Sequence, residues 1–277
     1  MSIINERTKN LIRMALEEDQ IEDDVTTNSL FPEPRKAKAK VIAKSEGILC
    51  GIEVFKEVFK TISREVEFFT TFKDGDKFRI MDTIIEISGD IRAILKGERT
   101  ALNFLGHLSG ISTKTHNLVN KARGRIKVLD TRKTTPAFRE LEKYAVKIGG
   151  GHNHRINLTE MAMLKENHLI FFSSIEDAVN KIRKKLKDVK IEVEVKNLDE
   201  FKEVLKLDVD RVMLDNFSID EIREAVKING GKRELEISGG VTEENIEKYA
   251  ETGADFVSSG ALTHSFKNSD FSLLIEK

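Results

Sequence analysis

The chain is expected to be an α/β protein: an N-terminal α+β sandwich followed by an incomplete, open α/β barrel. Three observations predict this. From Lys127 onward, short β-rich runs at 127–131, 161–165, 190–195, 211–215, 234–238 and 256–259 alternate with helical stretches, the pattern of a parallel sheet. No Gly-x-Gly-x-x-Gly turn follows any of these runs, which favours a barrel over a doubly wound nucleotide-binding sheet. Before Lys127 the order of helices and strands is irregular. Six strands fall short of the eight that close a full barrel, so it stays open or is completed by another element.

Taken in order, residues 4–17 read as an amphipathic helix, with Leu11 and Ala15, and Ile12 and Leu16, four residues apart. Asp24-Val25-Thr26-Thr27 reads as a turn or cap. Lys36-Ala37-Lys38-Ala39-Lys40 alternates charged and small apolar residues, the pattern of a half-exposed strand. Further strands are expected at 47–52, 66–72 and 83–95, with a turn at Asp74-Gly75-Asp76 and a helix from about 98 to 122. The later helices are expected near 137–148, 175–187, 198–206, 219–228 and 242–251, with Ser174, Ser218 and Thr242 as their N-caps where they apply.

Composition narrows the function. The 277 residues carry 46 basic and 47 acidic side chains, a net charge of -1, without the net basicity of a nucleic-acid binder. Cys50 is the one cysteine, which excludes an intramolecular disulfide and a cysteine-based metal site. No apolar run is long enough to span a bilayer. The first residues carry an acid and no signal-like apolar core. Cytoplasmic location is the expectation, with neither membrane nor nucleic acid as partner.

Barrel active sites gather at the C-terminal ends of the strands. The expected strands end in Asp130-Thr131-Arg132-Lys133, Lys165-Glu166-Asn167-His168, Asp215-Asn216, Ser238-Gly239-Gly240 and Ser259-Gly260-Ala261, and one contains Glu192 and Glu194. Between the first two strands comes Gly149-Gly150-Gly151-His152-Asn153-His154-Arg155. A single charge at a strand end is more often solvated than functional; co-location makes the case. The two glycine turns offer backbone N–H groups, the first leading into a helix, and suit phosphate, though each could be only a tight turn. Glu192 and Glu194 point to one face of their strand. Inward acids are costly unless paired or metal-bound, so Glu194 and Asp215 beside a phosphate cradle suggest Mg²⁺, while Glu192 could pair with a lysine instead. Arg132, Lys133, His154, Arg155 and Lys165, with Arg99 as a sixth, suit carboxylates and phosphates. His152-x-His154 could alternatively be a zinc site. The basic run from Arg183 to Lys187 reads as a solvated helix face, and His107 and His116 as packing residues.

At these residues the sequence resembles quinolinate phosphoribosyltransferases, of the type II phosphoribosyltransferase family. The resemblance is carried by Gly97-Glu98-Arg99-Thr100-Ala101-Leu102-Asn103, Asp130 to Thr134, Gly149 to Arg155, Lys165 to His168, Glu192 to Val195, Leu214-Asp215-Asn216, Ser238-Gly239-Gly240 and Gly260 to His264. It implies a pentosyltransferase that converts quinolinate and phosphoribosyl pyrophosphate, with Mg²⁺, to nicotinate mononucleotide, pyrophosphate and CO₂. It implies a sandwich domain over 1–106, rejoined by a tail at 265–277, and a barrel over 107–264. It implies a homodimer in which Arg99 reaches the neighbour's site. Arg132, His154 and Arg155 would hold the quinolinate carboxylates, and Lys133 and Lys165 would lie between the substrates. Glu194 and Asp215 would organise Mg²⁺, ribose and pyrophosphate. Ser238, Gly239, Gly240, Ser259, Gly260 and Ala261 would hold the 5′-phosphate. One departure is visible: Ala137 stands where the family commonly has glycine, and it is expected to enter the helix directly behind Pro136 at its first position.

Overall fold

The structure, a computed structural model, describes residues 3–276. Its residues group into two units. One runs to Lys114 and includes Tyr144–Gly149 and the segment from Phe266; the other comprises Thr115–Lys143 and Gly150–Ser265.

In the first unit, helix α1 spans Glu6–Glu18 and is capped by Asn5, whose side chain accepts from the Thr8 N–H. Ile12 and Leu16 are buried on one face, as their four-residue spacing requires. Asp24 caps α2 (Val25–Leu30) by accepting from the N–H groups of Thr26 and Thr27. Strands β1 (Lys36–Ala43) and β2 (Gly47–Ile48) precede helix α3 (Ile52–Ile62), followed by β3 (Glu67–Phe69), β4 (Lys77–Phe78) and β5 (Thr83–Asp90). The last strand, Phe271–Glu276, pairs antiparallel with β1, which pairs with β5, which pairs with β3. Phe59 of α3 packs on Phe68 of β3 with ring centroids 6.0 Å apart. The strand expected over 83–95 stops at Asp90, and α4 (Ile91–Ala122) starts at the next residue. Ile91, Ile94 and Leu95 follow helical rather than alternating spacing, and the Asp90 carboxylate accepts from the Arg92 N–H at 3.1 Å, which caps the helix. His107 packs edge-on against Phe266, with centroids 4.7 Å apart.

The second unit is built on six parallel strands: β6 (Lys127–Leu129), β7 (Met161–Leu164), β8 (Lys190–Val195), β9 (Arg211–Asp215), β10 (Glu234–Ser238) and β11 (Phe256–Ser258). Their spatial order is β6-β11-β10-β9-β8-β7. Helices α5 (Arg139–Ile148), α6 (Glu166–Leu169), α7 (Ile175–Lys185), α8 (Leu198–Val204), α9 (Ile219–Asn229), α10 (Ile246–Ala250) and α11 (Ala261–His264) lie between and after them. The sheet does not close strand to strand. His152 forms a parallel bridge with Leu129 of β6, and the Arg155 guanidinium donates to the Met161 carbonyl of β7 at 2.8 Å. The segment 152–155 therefore fills the gap between the two edge strands.

The strands alternate sharply. Ile191, Val193 and Val195, Val212 and Leu214, and Leu235 and Ile237 are buried. Each such side chain contributes about 1.5–3 kcal/mol when fully removed from water. The residues between them are Glu192 and Glu194, Arg211, Met213 and Asp215, and Glu234, Glu236 and Ser238. Register sets these in rows across β8, β9 and β10, so one face of the sheet is polar and charged.

Ser174 and Ser218 cap α7 and α9, each accepting from an N–H three residues on. The helix expected over 242–251 is reduced to Ile246–Ala250, and Thr242 is not its cap. The Asn245 side chain accepts from the Thr242 N–H at 2.8 Å and donates to the Gly240 carbonyl at 2.8 Å, which holds this segment as a turn. Of the basic run, Arg183 is not solvated: its guanidinium bonds the Asp208 and Val189 carbonyls and the Asp210 carboxylate.

Candidate active site

A cavity of about 880 Å³ opens at the C-terminal ends of the six strands. Each strand delivers part of its lining. Thr131, Arg132 and Lys133 follow β6, Lys165 follows β7, Glu194 and Asp215 close β8 and β9, Ser238 ends β10, and Ser259 follows β11. His154 and Arg155 enter from the gap-filling segment. Gly239, Gly240, Gly260 and Ala261 also line it. So do Met163, Met213, Glu236 and His264, which a search for charges at strand ends passes over. Arg99 is exposed on α4 in the first unit and is not among the lining residues.

The cationic wall rests on a buried support. Asp130 and Lys143 are fully buried and paired, and Lys143 also donates to the His154 carbonyl at 2.9 Å. Asp130 accepts from the His154 N–H at 2.9 Å. Burial outweighs their mutual attraction, pushing Asp130 up to about 6 and Lys143 down. Helix α5 clips the loop above: Arg139 bonds the Thr134 hydroxyl, the Ile156 carbonyl and the Arg132 carbonyl, and Glu142 accepts from the Thr135 N–H. Ala137 in this loop has φ +65 and α5 starts only at Arg139. The expectation that Ala137 continues directly into the helix is therefore overturned; Ala137 adopts the left-handed conformation that glycine takes without penalty.

Arg132 and Arg155 confront each other. Burial, and then the Arg132 charge, hold the Arg155 guanidinium below its ordinary range. The Arg132 Nε is buried and has no hydrogen-bond acceptor. Two guanidinium groups set together this way form a receptor for anions.

The acids divide in an unexpected way. Glu194, expected with Asp215 to organise Mg²⁺, pairs with Lys165. Glu192, read as the one to pair with lysine, sits fully buried beside His154, its carboxylate 2.9 Å from Nε2. Asp215 accepts from the Asn216 side-chain amide at 2.9 Å. His154 spends both ring nitrogens within the protein, since Nδ1 accepts from the Arg155 N–H at 2.7 Å. Its Nε2 also lies 3.5 Å from Glu236. His152 is exposed, and among the described residues His154 clusters instead with Glu192 and Glu236, so the His152-x-His154 pair does not converge on one point.

The glycine turns are close-packed. Gly239 has φ +103, and a Cβ there would lie 2.1 Å from the Asn216 side-chain oxygen. At Gly260 a Cβ would meet the Lys133 side chain at 2.9 Å, and the Thr263 hydroxyl donates to the Lys133 carbonyl at 2.8 Å. The loops after β6 and β11 are thereby locked together. The helices behind the turns, α10 and α11, have five and four residues, so any anion here would meet backbone N–H groups of the turns rather than a long helix end.

A parallel α/β barrel with clustered guanidiniums, lysines, two acids and glycine turns at one mouth defines an enzyme built for a polyanionic substrate. Residues 24–109 match the model for the quinolinate phosphoribosyl transferase N-terminal domain, and 111–274 that for its C-terminal domain. A protein of Methanocaldococcus jannaschii named "Probable nicotinate-nucleotide pyrophosphorylase (carboxylating)" is 42% identical over 274 residues, 95% of each chain. Quinolinate phosphoribosyltransferase (decarboxylating) 1b of Nicotiana tabacum is 35% identical over 288 residues, covering 97% of this chain and 82% of its own. The solved structure of the nicotinate-nucleotide pyrophosphorylase from Francisella tularensis superposes with a TM-score of 0.95 at 40% identity, covering 99% of this chain and 98% of that one. The chain belongs to the quinolinate phosphoribosyltransferase family.

Proposed function

We propose that this enzyme transfers phosphoribose from phosphoribosyl pyrophosphate to quinolinate with loss of CO₂, giving nicotinate mononucleotide and pyrophosphate for NAD biosynthesis. The observation that carries the substrate is the juxtaposed pair Arg132 and Arg155, with the buried Arg132 Nε lacking an acceptor. Quinolinate brings two carboxylates, and a planar fork matches a carboxylate through two hydrogen bonds.

In this reading the C1–oxygen bond to pyrophosphate breaks, its electron pair leaving with pyrophosphate. The ring nitrogen of quinolinate donates its lone pair to the ribosyl carbon. The quaternised nitrogen then draws the electrons of the adjacent carbon–carboxylate bond, CO₂ departs, and the ring carbon takes a proton. Lys133 and Lys165, which line the cavity, would stabilise charge on the departing anion. Holding two anions in one cavity supplies an entropic share of up to roughly 7–11 kcal/mol in favourable cases. Ser238, Gly239, Gly240, Ser259, Gly260 and Ala261 would receive the 5′-phosphate on the backbone of their turns.

Glu194 and Asp215 offer hard oxygen donors facing the cavity, which fits Mg²⁺ with water and phosphate oxygens completing its shell. When bound, Mg²⁺ would neutralise charge on the pyrophosphate. We place the enzyme in the cytosol; no helix among the described residues is long and apolar enough to cross a membrane. We further propose a homodimer in which Arg99 of one protomer, exposed on α4, completes the other's site.

The test is steady-state kinetics of Arg132→Ala. Loss of one charged, two-pronged contact should raise the KM for quinolinate by about 10–150-fold. The KM for phosphoribosyl pyrophosphate should stay close to that of the unsubstituted enzyme. Equal weakening of both substrates would contradict the assignment of this wall to quinolinate.

A further inference from the structure

At the base of the cavity, four side chains from four different segments meet: His154 and Glu236 of β10, which line it, and Glu192 of β8 and Arg211 of β9 behind them. Glu192 and Glu236 are both 0% exposed. One oxygen of each and a ring nitrogen of His154 lie within 4.8 Å of one another. The second oxygen of each carboxyl, Oε1, is buried and has no hydrogen-bond partner. Arg211 donates to Glu236 at 3.0 Å, but its guanidinium is shared with Glu234 at 2.9 Å and stacks on Phe256, 4.1 Å from the ring centroid. Arg211 attracts Glu192 as well, as do Lys165 and Arg155, but no N–H of any of them reaches its second oxygen.

Two carboxylates set side by side without water repel strongly, and each orphaned oxygen carries a desolvation cost. One proton resolves both problems. If one carboxyl is neutral, its O–H becomes the donor that the other lacks. His154 cannot fill that role twice, because Nδ1 accepts from the Arg155 N–H and only Nε2 is left to donate, to Glu192. Arg211 is committed to Glu236 Oε2.

We propose that Glu236 is kept as a neutral carboxylic acid that donates its proton to the Glu192 carboxylate, and that Glu236 and Arg211 are positioning residues acting through Glu192 and His154 on Arg155. The chain of hydrogen bonds runs from Arg211 to Glu236 to Glu192 to His154, and ends on the Arg155 backbone. It fixes the imidazole with its proton on Nε2. It thereby fixes the peptide that carries one of the two guanidiniums assigned to quinolinate. This role rests on the substrate assignment above; the proton's location does not.

Infrared spectroscopy of the ligand-free protein at neutral pH, above the value of about 6 to which burial pushes Asp130, reads the proton directly. The unsubstituted protein should show a protonated-carboxyl C=O band that moves in D₂O, and Glu236→Gln should lack it. Kinetics reads the positioning. Glutamine can still donate an N–H to Glu192, so Glu236→Gln should raise the KM for quinolinate by less than about threefold, whereas Glu236→Leu, which leaves Glu192 with an unmet oxygen, should raise it by at least about tenfold. In both variants the KM for phosphoribosyl pyrophosphate should change by less than about twofold, because Glu236 acts through Glu192 and His154 rather than through the Ser238 turn that ends its own strand. Persistence of the band in Glu236→Gln, or no band in the unsubstituted protein, would overturn the inference. So would parallel loss of both substrates in Glu236→Leu. A folded wild-type protein that shows the band but does not turn over quinolinate would instead sink the functional reading and leave the acid pair standing.

Discussion

Ala137 is the clearest case of one residue against its backbone. It holds φ +65 in a loop that carries Arg132 and Lys133. A left-handed conformation costs a non-glycine residue about 1–2 kcal/mol, partly offset because alanine loses less backbone entropy than glycine on folding. Ala137→Gly is therefore expected to stabilise the protein by about 0.5–1 kcal/mol, measured by denaturant titration with an unchanged slope. An unchanged or lower midpoint would show that the loop does not hold this conformation in solution. The family resemblance pointed to a glycine here, and the reading of Pro136 as a helix start overrode it. Two residues, Ala137 and Phe138, separate Pro136 from Arg139, where α5 begins and from which the guanidinium clips the Thr134 hydroxyl and the Arg132 carbonyl. Such a side-chain bond back into the loop leaves no trace in local periodicity. The acids of β8 show the same limit. Alternation correctly put Glu192 and Glu194 on one face, but which of them meets a lysine depends on Lys165 lying at the end of the neighbouring β7.

Among elements, the strands were legible and the loops were not. All six parallel strands fall where short β-rich runs were read, and in β8, β9 and β10 apolar residues alternate with charged ones because that alternation is the packing itself: valine, leucine and isoleucine buried on one side, the site on the other. The same period would have revealed Arg211 and Glu236 as partners of Glu192, had it been followed along 211–215 and 234–238 as well as 190–195. Helix α10 was overestimated because Thr242 resembles a cap, while the Asn245 side chain folds back on Thr242 and Gly240. The β9 and β10 loops interlock at Gly239, where a Cβ would fall 2.1 Å from the Asn216 oxygen and φ is +103. Gly239→Ala should therefore displace Asn216, which bonds Asp215. It is expected to destabilise the protein by about 2–3 kcal/mol and to raise the KM for phosphoribosyl pyrophosphate at least about tenfold, seen in thermal unfolding and initial-rate kinetics. Full activity and stability would mean that the turn has room the packing denies.

On the scale of the whole molecule, the barrel cavity gathers every cation assigned to the substrates except Arg99. If Arg99 serves a neighbouring protomer, two inactive variants should repair each other. Arg99→Ala retains an intact barrel and Lys165→Ala retains an intact arginine. Mixed in equal amounts and allowed to exchange subunits, half of the dimers become hybrids with one complete site of two, so activity should return to about a quarter of the unsubstituted enzyme. No recovery, with subunit exchange verified, would place Arg99 in its own protomer's chemistry or outside the reaction.

The most direct measurement is a product assay with phosphoribosyl pyrophosphate and Mg²⁺, offering carboxyl-labelled quinolinate and nicotinate in separate reactions. The expected result is labelled CO₂, pyrophosphate and nicotinate mononucleotide from quinolinate alone, all lost on adding EDTA. Turnover of nicotinate, or of neither acid by the folded protein, would contradict the claim that the paired guanidiniums of this barrel were built for quinolinate.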